Sequence, residues 1–159
     1  MFIYPFPKVD HTVDIVIFRT VSIPRDEQKP NGPSRIQQVL LIRRRDEPYK
    51  NHWAFVGGFL DVGKDTCLED AAYRETLEEV GIPKEKLLDL RQLHTYSQKD
   101  RDPRGWVVST VFTARVDSDA EAVAGDDAKE LRWQDCKDKP VLAFDHPQIW
   151  DDLEDRGVI

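Results

Sequence analysis

Three carboxylates crowd one side of a short stretch in the run Arg74-Glu75-Thr76-Leu77-Glu78-Glu79-Val80-Gly81. On a helix at about 100° per residue, Glu78 lies about 60° to one side of Glu75 and Glu79 about 40° to the other. Tyr73, Leu77 and Val80 fall on the opposite side and are expected to face a core. Like charges this close repel unless a cation sits between them. A hard divalent cation with oxygen ligands relieves that repulsion, and Mg²⁺ commonly joins a few carboxylates to substrate phosphates. A phosphate-containing substrate is therefore the first class to consider. The competing reading is a solvated acidic face, as most charge runs are. The surroundings weigh against it. Thr66 and Glu69 have the spacing of a capping box that starts a helix. Gly81 can take the left-handed position that ends one. Arg74 stands one turn before Glu78, and Gly57-Gly58 lie just upstream.

The elements that must position this helix alternate in type. Residues Thr12 to Arg19 are apolar and β-branched, as in a strand, and Gln37 to Arg43 read as a second strand. Pro24 to Pro33 form a polar loop between them. Trp53 to Phe59 read as a shorter strand leading into the glycines. After the acidic helix, Leu87 to Tyr96 and Trp106 to Val116 read as strands around a polar connection. Glu130 to Gln134 suit a short strand, and Pro147 to Arg156 a closing helix that Asp145 could cap. This order predicts an α/β fold, a mixed sheet with helices on both sides.

Three segments together resemble the Nudix box: Gly57-Gly58-Phe59-Leu60-Asp61-Val62-Gly63, then Ala71-Ala72-Tyr73-Arg74-Glu75, then Glu78-Glu79-Val80-Gly81-Ile82. That box reads G, five residues, E, seven residues, then R-E-U-x-E-E-x-G-U, with U a bulky aliphatic. Two departures stand out. The family's first Glu falls at Lys64 counted from Gly58, or at Thr66 counted back from Arg74, because this chain carries two extra residues between them. In the family that Glu orients the Arg and supports the metal-site carboxylates, and Asp65 could take over with a shifted loop. Thr76 also stands where the family has an aliphatic. Three further segments are similar to the ADP-ribose pyrophosphatase-like branch. They are Arg44 through Phe59, Asp102-Pro103-Arg104-Gly105-Trp106-Val107-Val108-Ser109, and Leu142-Ala143-Phe144-Asp145-His146.

The resemblance implies an α/β/α sandwich in one domain spanning residues 1–159. It implies an enzyme that uses Mg²⁺ or Mn²⁺ to hydrolyse a nucleoside diphosphate linked to another moiety, foremost ADP-ribose to AMP and ribose 5-phosphate. The metal ligands it suggests are Glu75, Glu78 and Glu79. The Gly57 carbonyl is either a further ligand or only part of a tight turn. Glu78, Glu79 and Asp127 are the candidate catalytic residues. Asp127 comes from alignment on Trp133, with Asp126 and Glu130 as alternatives. Arg44, Arg104 and Gly58 are the candidate substrate contacts, Arg104 being favoured over Arg101 because it lies in the family-like segment. Tyr96, Trp53 and Trp106 could stack on a base or pack in the core. His52, His94 and His146 lack metal-ligand spacing and read as ordinary polar residues, His146 as structural near the last helix.

Composition bounds the rest. A chain of 159 residues, 40% hydrophobic and 33% charged, suits one globular unit with a sizeable core. The net charge of −7 argues against a nucleic-acid-binding face but not against a small nucleotide. Two isolated cysteines, Cys67 and Cys136, fit a reducing cytoplasm. The absence of a long apolar run predicts no membrane partner. A homodimer is an expectation from the family. A second class of function stays open: a sensor that binds ADP-ribose without turnover. Related regulators join a Nudix domain to a DNA-binding winged helix, and the chain is read as ending too soon after His146 to hold one. The late glutamates favour the enzyme, and the missing first Glu favours the sensor.

Overall fold

The computed structural model describes residues 3–159. Its spine is β1 (Asp10–Ser22), a strand of alternating aliphatic residues buried on both faces. One edge of β1 pairs in parallel with β6 (Val107–Arg115) along nearly its whole length. The other edge is divided. Residues Phe18–Ser22 pair antiparallel with β2 (Arg35–Arg44), while Thr12–Ile15 pair antiparallel with β4 (Val56–Phe59). Beyond Val39 the two long strands separate, and β3 (Trp53–Ala54) takes up the freed edge of β2. The segment β3–Phe55–β4 is thus a wedge driven between β1 and β2. Outside it, β7 (Ala128–Asp135) covers the far edge of β2 and β5 (Leu88–Tyr96) the far edge of β6.

Helix α1 (Leu68–Val80) packs on one face of this mixed, seven-stranded sheet and α2 (His146–Asp155) on the other. Each face has its own core, because alternate β1 residues point opposite ways. Val13, Ile15 and Ile17 join Ala71, Ala72 and Val80 of α1. Val16 and Phe18 join Ile149, Trp150 and Leu153 of α2. The α/β sandwich read from the sequence is the fold observed. Among the described residues no helix is long and apolar enough to cross a membrane.

Four local expectations differ from what forms. The stretch from Trp53 to Phe59 is two strands, broken where the Phe55 N–H donates to His146 Nδ1 (3.1 Å) instead of to a ladder partner. Helix α1 begins after Cys67, and the Thr66 hydroxyl and N–H bond Asp70 rather than closing a box with Glu69. The helix ends as expected at Gly81, with φ 69°. Leu77 does not face a core; it is 53% exposed, and Thr76 is fully buried with its hydroxyl on the Ala72 carbonyl (2.7 Å). Asp145 precedes α2 without a side-chain cap, because its carboxylate is taken by Arg101.

Candidate active site

Where β1 and β2 part, the wedge leaves a cavity of about 320 Å³. Seven of the eight residues singled out from the sequence line it: Glu75 and Glu79 from α1, Gly57 and Gly58 from β4, Arg44 from β2, Arg104 from the β5–β6 connection and Asp127 from the loop before β7. Glu78 does not. It is exposed on the outer side of α1, where Arg74 (3.2 Å) and Lys64 (3.8 Å) pair with it. The alternatives Asp126 and Glu130 also lie outside the cavity wall, and Glu130 pairs with Arg43 at 3.5 Å.

The acidic wall is set by close packing of α1 on β4. A Cβ added at Gly58 would lie 2.5 Å from the Glu75 carboxylate, so only glycine lets that side chain reach the cavity. The Gly57 N–H donates to Glu79 Oε2 (2.9 Å). Burial, then the nearby Glu75, Asp14 and Asp127 charges, outweigh that hydrogen bond and push the Glu79 carboxyl up to about 8. Burial also raises Glu75, against the pull of Arg74. Arg74 is held by Asp65 in a two-pronged pair, Nε to Oδ1 at 2.8 Å and Nη2 to Oδ2 at 2.7 Å, and reaches Glu75 at 2.7 Å. Asp65 therefore makes the contact to the arginine expected of the missing glutamate. The Asp127 loop is tied to both sides of the cavity. Gly125 N–H donates to the Glu79 carbonyl (2.8 Å), and Arg45 Nη1 to the Asp126 carbonyl (2.6 Å).

The cationic rim is built on aromatic rings. Arg44 lies 4.8 Å from the centre of the Phe144 ring, and Arg104 lies 5.6 Å from it and 4.8 Å from Phe59. Arg44 is anchored by its Nε on the Pro48 carbonyl (2.7 Å), and Arg104 by a two-pronged pair with Asp102. Burial and the neighbouring Arg104 charge lower the Arg44 pKa. Two guanidiniums close enough to repel make a receptor for an anion.

Sequence reasoning undervalued the deepest part: it left out Asp14, carried Asp102 only within a motif, ranked Arg101 below Arg104 and read His146 as structural. Asp14, Arg101, Asp102 and His146 all line the cavity and are all buried. The signal for Asp14 was a lone carboxylate in the middle of an apolar strand. The aromatic residues weighed for base stacking divide differently. Trp53 stacks on Arg132 (4.2 Å), Tyr96 is core and bonds Asp152, and Trp106 is half-exposed away from the cavity. His52 and His94 take no part in the cavity wall.

Glu75, Glu79 and Asp127 are hard oxygen donors on the wall of one cavity that Gly57 also lines, and burial foremost, then the neighbouring negative charges, raises the Glu79 carboxyl. That donor chemistry suits Mg²⁺ or Mn²⁺. Among the described residues no three His, Cys, Asp or Glu side chains stand together closely enough to hold a metal ion as arranged.

Comparison with known proteins agrees with this architecture. The NUDIX domain model matches residues 11–152. The ADP-ribose pyrophosphatase of Methanocaldococcus jannaschii is 47% identical over 113 residues, 70% of this chain and 63% of that protein. The ADPR responsive transcriptional repressor NtrR of Acinetobacter baylyi is 33% identical over 148 residues, 92% of this chain and 52% of that protein. The chain thus spans less than two thirds of either curated relative. The NUDIX domain of Shewanella oneidensis NrtR, solved with ADP ribose, matches with a TM-score of 0.76 at 27% identity, over 95% of this chain and 90% of that one. Since the matched region runs from β1 through the glycine wedge and the acidic helix into α2, the chain belongs to the NUDIX family.

Proposed function

We propose that this protein hydrolyses a nucleoside diphosphate linked to a sugar, foremost ADP-ribose, to AMP and ribose 5-phosphate with Mg²⁺ or Mn²⁺. One observation carries the reading: an acidic wall of Glu75, Glu79 and Asp127 faces a two-arginine rim across a single cavity. A diphosphate needs both, a cationic rim to bind its oxygens and carboxylates to hold a metal against it. The similarity to an ADP-ribose pyrophosphatase and to a domain solved with ADP ribose supports the substrate.

Glu75, Glu79 and the Gly57 carbonyl are the metal ligands in this reading. Glu78 would join them only by giving up its pairs with Arg74 and Lys64. The bound ion supplies charge neutralisation at the phosphoryl oxygens and a more acidic water. Arg44 and Arg104 clamp and orient the diphosphate. The Gly57 N–H keeps Glu79 aimed into the cavity, Gly58 gives Glu75 its room, and Asp127 accepts the proton of the attacking water. Two free thiols, Cys67 and Cys136, support a reducing cytoplasmic setting. A homodimer is carried over as an expectation from the family. A net charge of −7 favours a small-molecule partner over nucleic acid.

A sensor without turnover is the second reading, favoured by the extended similarity to an ADPR-responsive repressor. Incubation with ADP-ribose, NADH, diadenosine polyphosphates and nucleotide sugars, with Mg²⁺ or Mn²⁺, separates the two. AMP released chiefly from ADP-ribose establishes the enzyme. Binding of ADP-ribose without release from any compound overturns it in favour of the sensor.

A further inference from the structure

Asp127 is the carboxylate of the acidic wall that neither helix nor strand carries. It takes the third position of the tight turn Gly125-Asp126-Asp127-Ala128, closed by the Ala128 N–H on the Gly125 carbonyl (3.3 Å). Both central residues are exposed, yet only Asp127 lines the cavity. An exposed aspartate on a turn keeps its rotamer freedom, so its reach into the cavity is set first by the backbone beneath it.

That backbone is fastened on two sides. On one side it completes the end of α1. The last four carbonyls of a helix lack intrahelical donors. In α1 the Leu77 carbonyl takes the Gly81 N–H (3.0 Å), the Val80 carbonyl takes the Val123 N–H (2.9 Å) and the Glu79 carbonyl takes the Gly125 N–H (2.8 Å). The fourth carbonyl oxygen, of Glu78, lies 2.1 Å from where a Cβ on Gly125 would stand, and Glu78 C and Glu79 Cα follow at 3.2 and 3.3 Å. These are backbone atoms of a packed helix and cannot swing aside. Only glycine therefore lets the turn lie flat on the helix end. On the other side the turn is held by the residue after β2. The Arg45 N–H donates to the Asp127 carbonyl (3.4 Å) and Arg45 Nη1 to the Asp126 carbonyl (2.6 Å). Strand β7 pairs Ala128 with Arg44 and Glu130 with Arg43, so a bulge at Lys129 falls just after the turn and frees it from the regular ladder.

We propose that the 125–128 turn is a clasp that fixes Asp127 against the Glu79 end of α1, and that Gly125 and Arg45 are its positioning residues. This rests on the proposed hydrolysis with Asp127 as base and deepens it. A base must stand within hydrogen-bond reach of the water it deprotonates, and a misplacement of about 1 Å can cost on the order of a hundredfold in rate. One hydrogen bond joins the residue that holds the metal in that reading to the turn that holds the base. Arg45 also lines the cavity, so direct contact with the phosphates is the competing role for its side chain.

The test is a pair of double-mutant cycles read on ADP-ribose hydrolysis with Mg²⁺. Gly125→Ala should lower kcat about 10- to 100-fold, with KM moved by less than about threefold. In an Asp127→Asn background the same substitution should change kcat by less than about twofold, because the displaced turn no longer carries a base. Equal fold losses in both backgrounds would show general damage and overturn the proposal, as would full kcat in Gly125→Ala. Arg45→Met keeps the stem, loses the side-chain donors and should behave in the same way. Raised KM with kcat intact would give Arg45 to the substrate and overturn its place in the clasp. Wild-type kcat in Asp127→Asn would remove the base and the proposal with it. Amide hydrogen exchange reads the clasp without turnover. Gly125→Ala should speed exchange over residues 123–128 by at least about tenfold and leave α2 as it was; unchanged exchange overturns the clasp. If the unaltered protein does not hydrolyse ADP-ribose or the other compounds, the enzyme reading has failed, and exchange alone decides whether the clasp exists.

Discussion

Glu79 carries two opposing demands, and they predict a trade. If it holds the metal as proposed, Glu79→Gln should abolish AMP release while largely sparing ADP-ribose binding by calorimetry; unaltered turnover would sink the metal-site assignment. In metal-free protein the same charge is a burden. The folded carboxyl titrates near 8, above the unfolded value, so charging it costs stability as pH rises from about 4.5 toward 8. Glu79→Gln should therefore raise Tm by a few degrees at pH 8 in chelator, on the order of 1 kcal/mol, and leave it unchanged near pH 4.5. Asp65 makes a different prediction. It touches Arg74, not the cavity, so Asp65→Asn should lower kcat about 10- to 100-fold, as loss of a supporting contact does, with KM little moved and Asp65→Glu retaining activity. Equal kcat in wild type and Asp65→Asn would show that the pair is not needed. Asp65 was legible as a substitute because it lies between the two registers that should hold a glutamate. Asp14 was not, since nothing in a strand pattern tells which lone carboxylate will find an arginine, a histidine and a serine from distant segments.

Helix α1 shows why spacing located the carboxylates but misplaced the core. The sequence reading set the buried face opposite Glu75, at Tyr73, Leu77 and Val80. The residues that are buried are Ala71, Ala72, Thr76 and Val80. On a wheel of about 100° per residue their arc spans Glu75 and Glu79 and leaves Leu77 and Glu78 outside. The helix thus lays its acidic side inward on the glycines of β4, an orientation that only the facing element could reveal. The small alanines permit that close approach. It follows that Leu77→Gln should change urea-unfolding stability by less than about 0.5 kcal/mol. On α2, Leu153 is fully buried against Val16 and Phe18, and Leu153→Ala should cost about 2–5 kcal/mol. Similar losses for the two would contradict the observed helix orientation. The break at Phe55 escaped the sequence for a related reason. Its N–H leaves the ladder for a histidine 91 residues away.

At the scale of the molecule, two sets of carboxylates pull stability in opposite directions with pH. Asp65 is held below the ordinary range by its hydrogen bonds from Arg74. Asp14 and Asp102 are held there by their partners despite burial, Arg104 foremost for Asp102. A depressed folded pKa gives stability that is complete above the unfolded value of about 3.9 and is lost as pH falls through the lower folded value. Glu79 works the other way, losing stability as pH rises toward 8. Metal-free protein should therefore be most stable near pH 5, with Tm falling on both sides. On the proposed metal site, Mg²⁺ at Glu75 and Glu79 should raise Tm by mass action and remove the cost of the Glu79 charge, so the alkaline limb should flatten while the acid limb stays. The acid limb belongs to ion pairs that no metal touches, and Asp102→Asn should shrink it. Thermal melts from pH 3 to pH 8, in chelator and in Mg²⁺, read all of this together. A flat profile in chelator would show that the site's charges are solvated rather than buried. An alkaline limb that Mg²⁺ leaves unchanged would separate the buried acidic wall from metal binding.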